Sequence, residues 1–294
     1  MVKPLKSFSP NSKLLGGIIQ MKLLTLNCHS WQEENQIEKI KYLARTIKEK
    51  SYDVIALQEV SQLIEEKHMY SNIKKNNFGL VLLQELQKIG VNEYSFVWGL
   101  SHIGFEVYEE GLAILTKHPI VEDYSFFVSK GTDTDYWKTR KIVGAKINYN
   151  NIPISFYSCH MGWWQDEEEP FKHQADTLLQ HVNKDELFFL MGDFNNSASL
   201  EGEGYEYLLS QGLYDTYHLA EEKDEGITVK GKIAGWSNNK QDLRIDLILT
   251  NHPVQIESSN VIFNNINKSV VSDHFGIEIK IGMLWEMWNE SKSY

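Results

Sequence analysis

Leu187-Phe188-Phe189-Leu190-Met191 runs without a spacer into Gly192-Asp193-Phe194-Asn195. Five consecutive apolar residues must be buried all round, as a strand inside a packed sheet or as a turn of buried helix. Two aromatics and an immediate glycine favour the strand. Side chains alternate along a strand, so Asp193 and Asn195 leave its end on one side while Phe194 anchors the other. A carboxylate beside a carboxamide at the rim of an apolar sheet suits a water nucleophile and a phosphoryl oxygen. Gly, Asp and Asn are also turn residues, and a plain strand exit explains the same letters equally well.

The chain that must surround this strand has 294 residues, 42% of them hydrophobic and 23% charged, enough for one large domain or two small ones. No apolar stretch approaches the roughly 20 residues that span a bilayer. A net charge of -11 argues against a passive binder of phosphate backbones, so neither nucleic acid nor a membrane is an expected partner. Cys28 and Cys159 are the only cysteines, which implies no disulfide framework. Residues 1–20 carry Lys3, Lys6 and Lys13 before a short apolar run, with no small-residue cleavage site. They read as an N-terminal extension, disordered or a non-native start, and a cytoplasmic protein is expected.

Met21 precedes the first convincing strand, Lys22–Leu26, which ends at Asn27. Ile37, Ile40, Leu43, Ala44 and Ile47 then recur at helical spacing. Val54–Leu57 reads as a second buried strand, ending in Gln58-Glu59. Phe78–Ile89 reads as a helix closed by Gly90. Strands follow around Ser95–Trp98, Gly111–Thr116, Val121–Val128 and Lys141–Tyr149, with an Asn150-Asn151 hairpin turn into Pro153–Cys159. A helix over Phe171–Val182 precedes the Leu187 strand, and strands at Ile245–Thr250, Val254–Phe263 and Phe275–Ile281 complete the body. Successive strands without strict βαβ alternation predict an α+β arrangement of two packed sheets with helices outside. One domain over residues 21–281 is expected, followed by a tail over 282–294 in which Leu284, Trp285, Met287 and Trp288 suit a short docked helix.

Strand after strand ends in residues able to bind metal or phosphate: Asn27 and His29, Glu59, His160, Asp193 and Asn195, Arg244 and Asp246, Asp273 and His274. Each alone has a bland reading. A lone Asn or His is more often a hydrogen-bonded turn residue, a lone Glu is usually surface charge, and Arg244 with Asp246 reads equally as a weak surface pair. Their recurrence at strand exits, instead of at helix centres and hairpin tips, favours one convergent site.

Asn27, Gln58-Glu59-Val60, Glu110-Gly111-Leu112-Ala113-Ile114-Leu115, Ser158-Cys159-His160, Gly192-Asp193-Phe194-Asn195, Arg244-Ile245-Asp246 and Ser272-Asp273-His274 together resemble the endonuclease/exonuclease/phosphatase superfamily, in its order and over nearly all of residues 21–281. The resemblance implies a DNase I-like, four-layered α/β sandwich of two mixed β-sheets flanked by helices, and phosphoester hydrolysis with Mg²⁺ or Mn²⁺. It implies that Glu59 is the chief metal ligand, with Asn27 and Asp273 beside or behind it. Asp193 would orient the attacking water, Asn195 would hold a phosphoryl oxygen, and His160 and His274 would donate to the developing charge. Asp246 would orient His274, and Glu110 would support His160.

The superfamily hosts many phosphoesters, and the local sequence narrows the choice. After His160 come Met161-Gly162-Trp163-Trp164-Gln165 and the acidic run Asp166-Glu167-Glu168-Glu169, which would repel a long polyanion unless it is an ordinary solvated loop. Trp163 and Trp164 suit a platform for a sugar ring, although one of them in the core is the plainer reading. Trp236, ahead of Arg244, and Arg140 with Lys138 and Lys141 complete the substrate-binding candidates, together with His29. The pairing of Asn27-Cys28-His29-Ser30-Trp31 with Cys159-His160-Met161-Gly162-Trp163-Trp164 resembles a bacterial branch that includes maltose 6'-phosphate phosphatases. A small phosphorylated sugar is therefore the expected substrate. A phosphodiesterase of nuclease or sphingomyelinase type is the alternative, and a non-catalytic regulatory binding protein the second.

Overall fold

Long strands with one face turned to a partner sheet and the other to a helix need four layers, and the computed structural model, which describes residues 20–233 and 235–282, has them. In chain order the elements begin with β1 (Met21–Asn27), α1 (Gln36–Lys50), β2 (Val54–Leu63), β3 (His68–Tyr70), β4 (Ile73–Lys74) and α2 (Phe78–Lys88). Then come β5 (Ser95–Gly104), β6 (Tyr108–Thr116), β7 (Ile120–Phe127), β8 (Lys141–Tyr149), β9 (Ile152–His160), α3 (Phe171–His181) and β10 (Leu187–Asp193). The last third adds α4 (Gly204–Ser210), β11 (Tyr214–Asp215), α5 (Thr216–Leu219), β12 (Ala220–Lys223), β13 (Asp246–Thr250), β14 (Ile256–Ile262) and β15 (Gly276–Ile281). One mixed sheet has the order β12-β14-β15-β1-β2-β6-β5, and the other β11-β13-β10-β9-β8-β7.

Between the sheets lie Leu23, Val54, Ala56 and Ile114 from the first and Ile154, Phe156, Phe189 and Met191 from the second. Outside the first sheet, Ile40, Leu43, Ala44 and Ile47 of α1 and Leu82 and Leu86 of α2 close a second core. Outside the other, Phe171 and Leu178 of α3 and Leu208 of α4 pack on Tyr157, Phe188 and Leu190. Alternation along β10 explains this division: Phe188 and Leu190 face the helices, while Phe189 and Met191 face the opposite sheet. Ile37, placed on the inner face of α1 by its spacing, is instead 46% exposed near the helix start. Among the described residues no helix is long and apolar enough to cross a membrane.

Register brings the chemistry to one rim. β1 and β2 are parallel with Asn27 opposite Gln58, and β9 and β10 are parallel with His160 opposite Asp193. Their antiparallel neighbours start where they end: Asp246 of β13 lies opposite Asp193, and β15 enters beside β1. Beneath the rim, Gln58 Nε2 donates to Ser158 Oγ (2.9 Å), which donates to Leu57 O (2.8 Å), pinning one sheet to the other.

The strand limits depart furthest from the sequence expectation at β2 and β5. β2 does not end at Glu59; it passes through a bulge between Leu57 and Val60 and pairs on to Leu63. β5 continues beyond Trp98 to Gly104, because its outer half pairs with Tyr108–Glu110 ahead of the expected start of β6. The short elements α4, β11, α5 and β12 have no counterpart in the sequence reading. The expected extension up to residue 19, and the tail from Met283, lie outside the described residues.

Candidate active site

The bulge in β2 gives Glu59 its place. An extra residue in one strand turns a side chain out of the regular alternation, and Glu59 takes a left-handed φ of 52° there. Asn195 (φ 50°) and His29 (φ 41°), just past β10 and β1, do the same. Such backbones cost non-glycine residues about 1–2 kcal/mol each and cluster at functional sites. Gly192 meets a different demand: with φ 150°, a Cβ there would lie 1.9 Å from Cys159 O on the neighbouring strand. Only glycine lets β10 approach β9 so closely just before Asp193.

Asn27 joins the two sheets. Its Nδ2 donates to Glu59 Oε1 (2.9 Å) and to Asp193 Oδ2 (3.2 Å), and its Oδ1 accepts from the His29 N–H (3.1 Å). Asp193 Oδ1 accepts from the Asn195 N–H (2.8 Å), while Oδ2 faces His160 Nε2 at 3.8 Å and His274 Nε2 at 3.7 Å. Asp246 Oδ2 lies 2.9 Å from His274 Nδ1, the orienting contact expected of it. Asn195 is held at both ends, donating to Met161 O and accepting from Trp236 Nε1. Asp273 stands at the edge of the group, 3.7 Å from His29 Nδ1, which also contacts Glu33 Oε1 at 2.8 Å.

Burial sets the protonation of this group. It pushes the Glu59 carboxyl up, Asn27 and His274 opposing, and pushes Asp193 up to about 7, with Asp246 and Glu59 adding repulsion. Glu110 is pushed up to about 8 by burial and by Glu59. His274 loses charge stability to burial, but Asp246 and Asp193 outweigh that and raise it to about 10. His160 goes the other way: burial, then Arg140, His102 and His274, hold it well below the usual histidine value. One imidazole is therefore a cation and the other neutral, on either side of Asp193.

The structure corrects several expected neighbours. Glu110 does not contact His160; its Oε1 lies 3.4 Å from His102 Nε2, a histidine the sequence reading missed because it sits inside β5. Arg244 turns from Asp246 to Asp215, with Nη1 2.8 Å from its carboxylate, and lies over the rings of Tyr205 and Tyr217. It is no part of the cavity. Trp164 packs on Phe171 and Tyr207 in the outer core, leaving Trp163 at the site. Of the three cations expected nearby, Lys138 pairs with Asp166 and Glu168 and Lys141 lies over Phe127, so only Arg140 lines the cavity. The acidic run is largely internal wiring: Asp166 accepts from the Glu168 and Glu169 N–H groups, and Glu169 from those of Lys130 and Gly131.

A single cavity of about 470 Å³ gathers His29, Glu59, Arg140, His160, Asp193 and His274, with Asn195, His102, Glu110 and the Phe105, Trp137 and Trp163 rings also lining it. The donor set fits a hard divalent cation. Glu59, Asp193, Asp246 and Asp273 offer oxygens, Asp246 Oδ1 is buried without a partner among the described residues, and burial keeps the two thiols protonated. Oxygen-rich sites of this kind take Mg²⁺ or Mn²⁺. Among the described residues, two clusters have ligand atoms within 4.8 Å of one another: the half-buried His29, Glu33 and Asp273, and the buried Asp193, Asp246 and His274.

Residues 34–274 match the Endonuclease/Exonuclease/phosphatase family. No curated protein matches the chain. Among solved structures, an endonuclease/exonuclease/phosphatase family protein from Leptotrichia buccalis is 48% identical, with a TM-score of 0.84 over 90% of this chain and 100% of its own. A mannosyl-6-phosphatase from Bacteroides thetaiotaomicron shares the fold at 16% identity and TM-score 0.65, over 89% of this chain and 99% of its own. So does TDP2 from Caenorhabditis elegans, at 15% identity and TM-score 0.62, over 90% and 75%.

Proposed function

Because the chain belongs to the endonuclease/exonuclease/phosphatase family, we propose that it is a divalent-metal-dependent phosphomonoesterase acting on a cytoplasmic sugar phosphate, with maltose 6'-phosphate the leading candidate. The observation that carries this reading is the shared cavity. A buried group of carboxylates and imidazoles, a buried arginine and two tryptophans line one space of about 470 Å³, suited to a small ester with a ring face. The mannosyl-6-phosphatase with the same fold supports a sugar phosphate as substrate.

Glu59, with Asn27 and Asp273, would hold Mg²⁺ or Mn²⁺, which supplies positive charge to the phosphoryl and leaving-group oxygens when bound. Asp193 orients the attacking water and takes its proton; a carboxyl pushed up to about 7 is well matched to that task near neutral pH. The imidazolium of His274, steadied by Asp246 through Nδ1, donates from Nε2 toward the charge that develops on phosphorus. His160 donates from Nε2 on the other side of Asp193. Arg140 brings the fixed positive charge that a dianionic monoester needs.

Phosphate release measured with Mg²⁺ across a panel of sugar phosphates, with plasmid DNA and sphingomyelin as controls, tests the proposal. Release from a sugar phosphate alone supports it. Degraded plasmid or hydrolysed sphingomyelin without such release moves the chain to the phosphodiesterases, and no turnover of any kind makes it a binding protein.

A further inference from the structure

From the catalytic group outward, the cavity changes from charge to bare aromatic surface. Arg140 is only 3% exposed, and its Nη1 donates to Trp137 O (2.9 Å). Its guanidinium carbon lies 6.0 Å from the Trp163 ring centre. Trp163 in turn stands 6.2 Å from the ring of Trp137, tilted by 58°. Trp137 is 51% exposed and Phe105 66%, although both line the same cavity as Asp193 and His274. Exposed single aromatics are ordinary, but two at the mouth of one catalytic cavity are not scattered surface residues.

The backbone is shaped to present these rings. Phe105 and Glu106 form the tight β5–β6 turn with φ of 51° and 60°, a left-handed pair that L-residues adopt reluctantly. Gly235, at φ 77°, leaves room for the Trp163 indole, because a Cβ there would stand 2.6 Å from Cζ2. Among the described residues, the indole N–H of Trp163 is buried with no hydrogen-bond partner.

We propose that Phe105, Trp137 and Trp163 form a stacking subsite for a second sugar ring of the leaving group, so that the enzyme prefers the phosphate ester of a disaccharide or longer glycoside to that of a monosaccharide. The inference rests on the phosphomonoesterase reading for the position of the ester. The occupant follows from continuity: a phosphoryl group held between the carboxylate–imidazole cluster and Arg140 directs its alcohol toward the mouth. There a pyranose has two apolar C–H faces for the rings.

The test compares maltose 6'-phosphate with glucose 6-phosphate on the wild type, Phe105→Ala and Trp137→Ala. Both side chains are largely solvent-exposed, so their truncation leaves the core intact. The wild type should favour the disaccharide ester in kcat/KM, and each substitution should cut that preference about tenfold, mainly through KM. A preference that stays within about twofold of wild type in both variants overturns the subsite. Binding is read separately by tryptophan fluorescence in Asp193→Asn with Mg²⁺. Tighter binding of the disaccharide ester, weakened by adding Phe105→Ala, supports the subsite, and equal binding of the two esters refutes it. Tight disaccharide binding in a wild type that releases no phosphate would remove the phosphatase reading and leave the subsite standing.

Discussion

Asp193 is where the residue scale is most telling, because its two oxygens divide the work. Oδ1 is fixed by the Asn195 N–H, and Oδ2 faces both imidazoles and the Asn27 amide. Asp193→Ala and His274→Ala should each lower kcat by roughly 10²–10⁴-fold while circular dichroism stays that of the wild type, since positioned proton transfer contributes about that much. Turnover near the wild-type rate in either variant would end the assignment. Arg140 has no carboxylate within 4 Å among the described residues, although burial disfavours its charge. Arg140→Gln should therefore weaken inhibition by inorganic phosphate about tenfold or more; an unchanged inhibition constant would mean that the guanidinium serves only the fold. Asn27, Glu59 and Asp193 were legible in the sequence because each follows an apolar run that reads as a strand, and His274 because it leads into one. His102 and Glu33 were not, since one alternates inside a strand and the other lies in a polar turn, and nothing local marks either as facing a cavity. Arg244 misled for a related reason: two residues from Asp246 it shares a face on paper, but Asp215, distant in sequence, captures it.

Elements show how the rim is assembled. β10 reaches Asp193 only because Gly192 lets its backbone close on Cys159. Gly192→Ala combines that clash with a positive φ and should cost about 2 kcal/mol or more, read as a lower urea midpoint at unchanged slope. A variant as stable as the parent would show that the two strands can separate without penalty. The long strands and the three larger helices were readable from periodicity, whereas the segment between Asn196 and Arg244 was not. Its pieces are short, β11 has two residues and α5 four, and they are held by distant partners such as Thr216 Oγ1 on Ile248 O instead of by a pattern of their own. The bulge at Glu59 was likewise silent, because a register shift depends on the opposite strand and leaves no mark in its own letters.

At the scale of the whole molecule, the site is split between the two sheets, and the residues that would hold a metal ion, Asn27, Glu59 and Asp273, sit on or beside strands of only one of them. Glu59, Glu110 and Asp193 all have carboxyls raised by burial, the last two to about 8 and about 7. Unfolded carboxyls ionise at about pH 4, so the metal-free fold keeps these protons longer. The stability they contribute is complete at acid pH and is lost as pH rises through the folded values. A divalent ion bound by Glu59 must displace the proton there, so the rise in Tm that Mg²⁺ produces should be larger at about pH 8 than at about pH 6. Melting curves at the two pH values with Mg²⁺ or EDTA decide this, and a shift that shrinks toward alkaline pH would contradict it. The sandwich was legible as a whole because its motifs follow one order along the chain, but which side chains would share a cavity depended on how the sheets stack. The placement of β15 has a consequence in time. It is the last strand of the body, and it inserts between β14 and β1, the first. While a ribosome is still making the chain, Asn27 and Glu59 wait for a histidine more than two hundred residues downstream, so no growing fragment can complete the cavity before synthesis has passed His274.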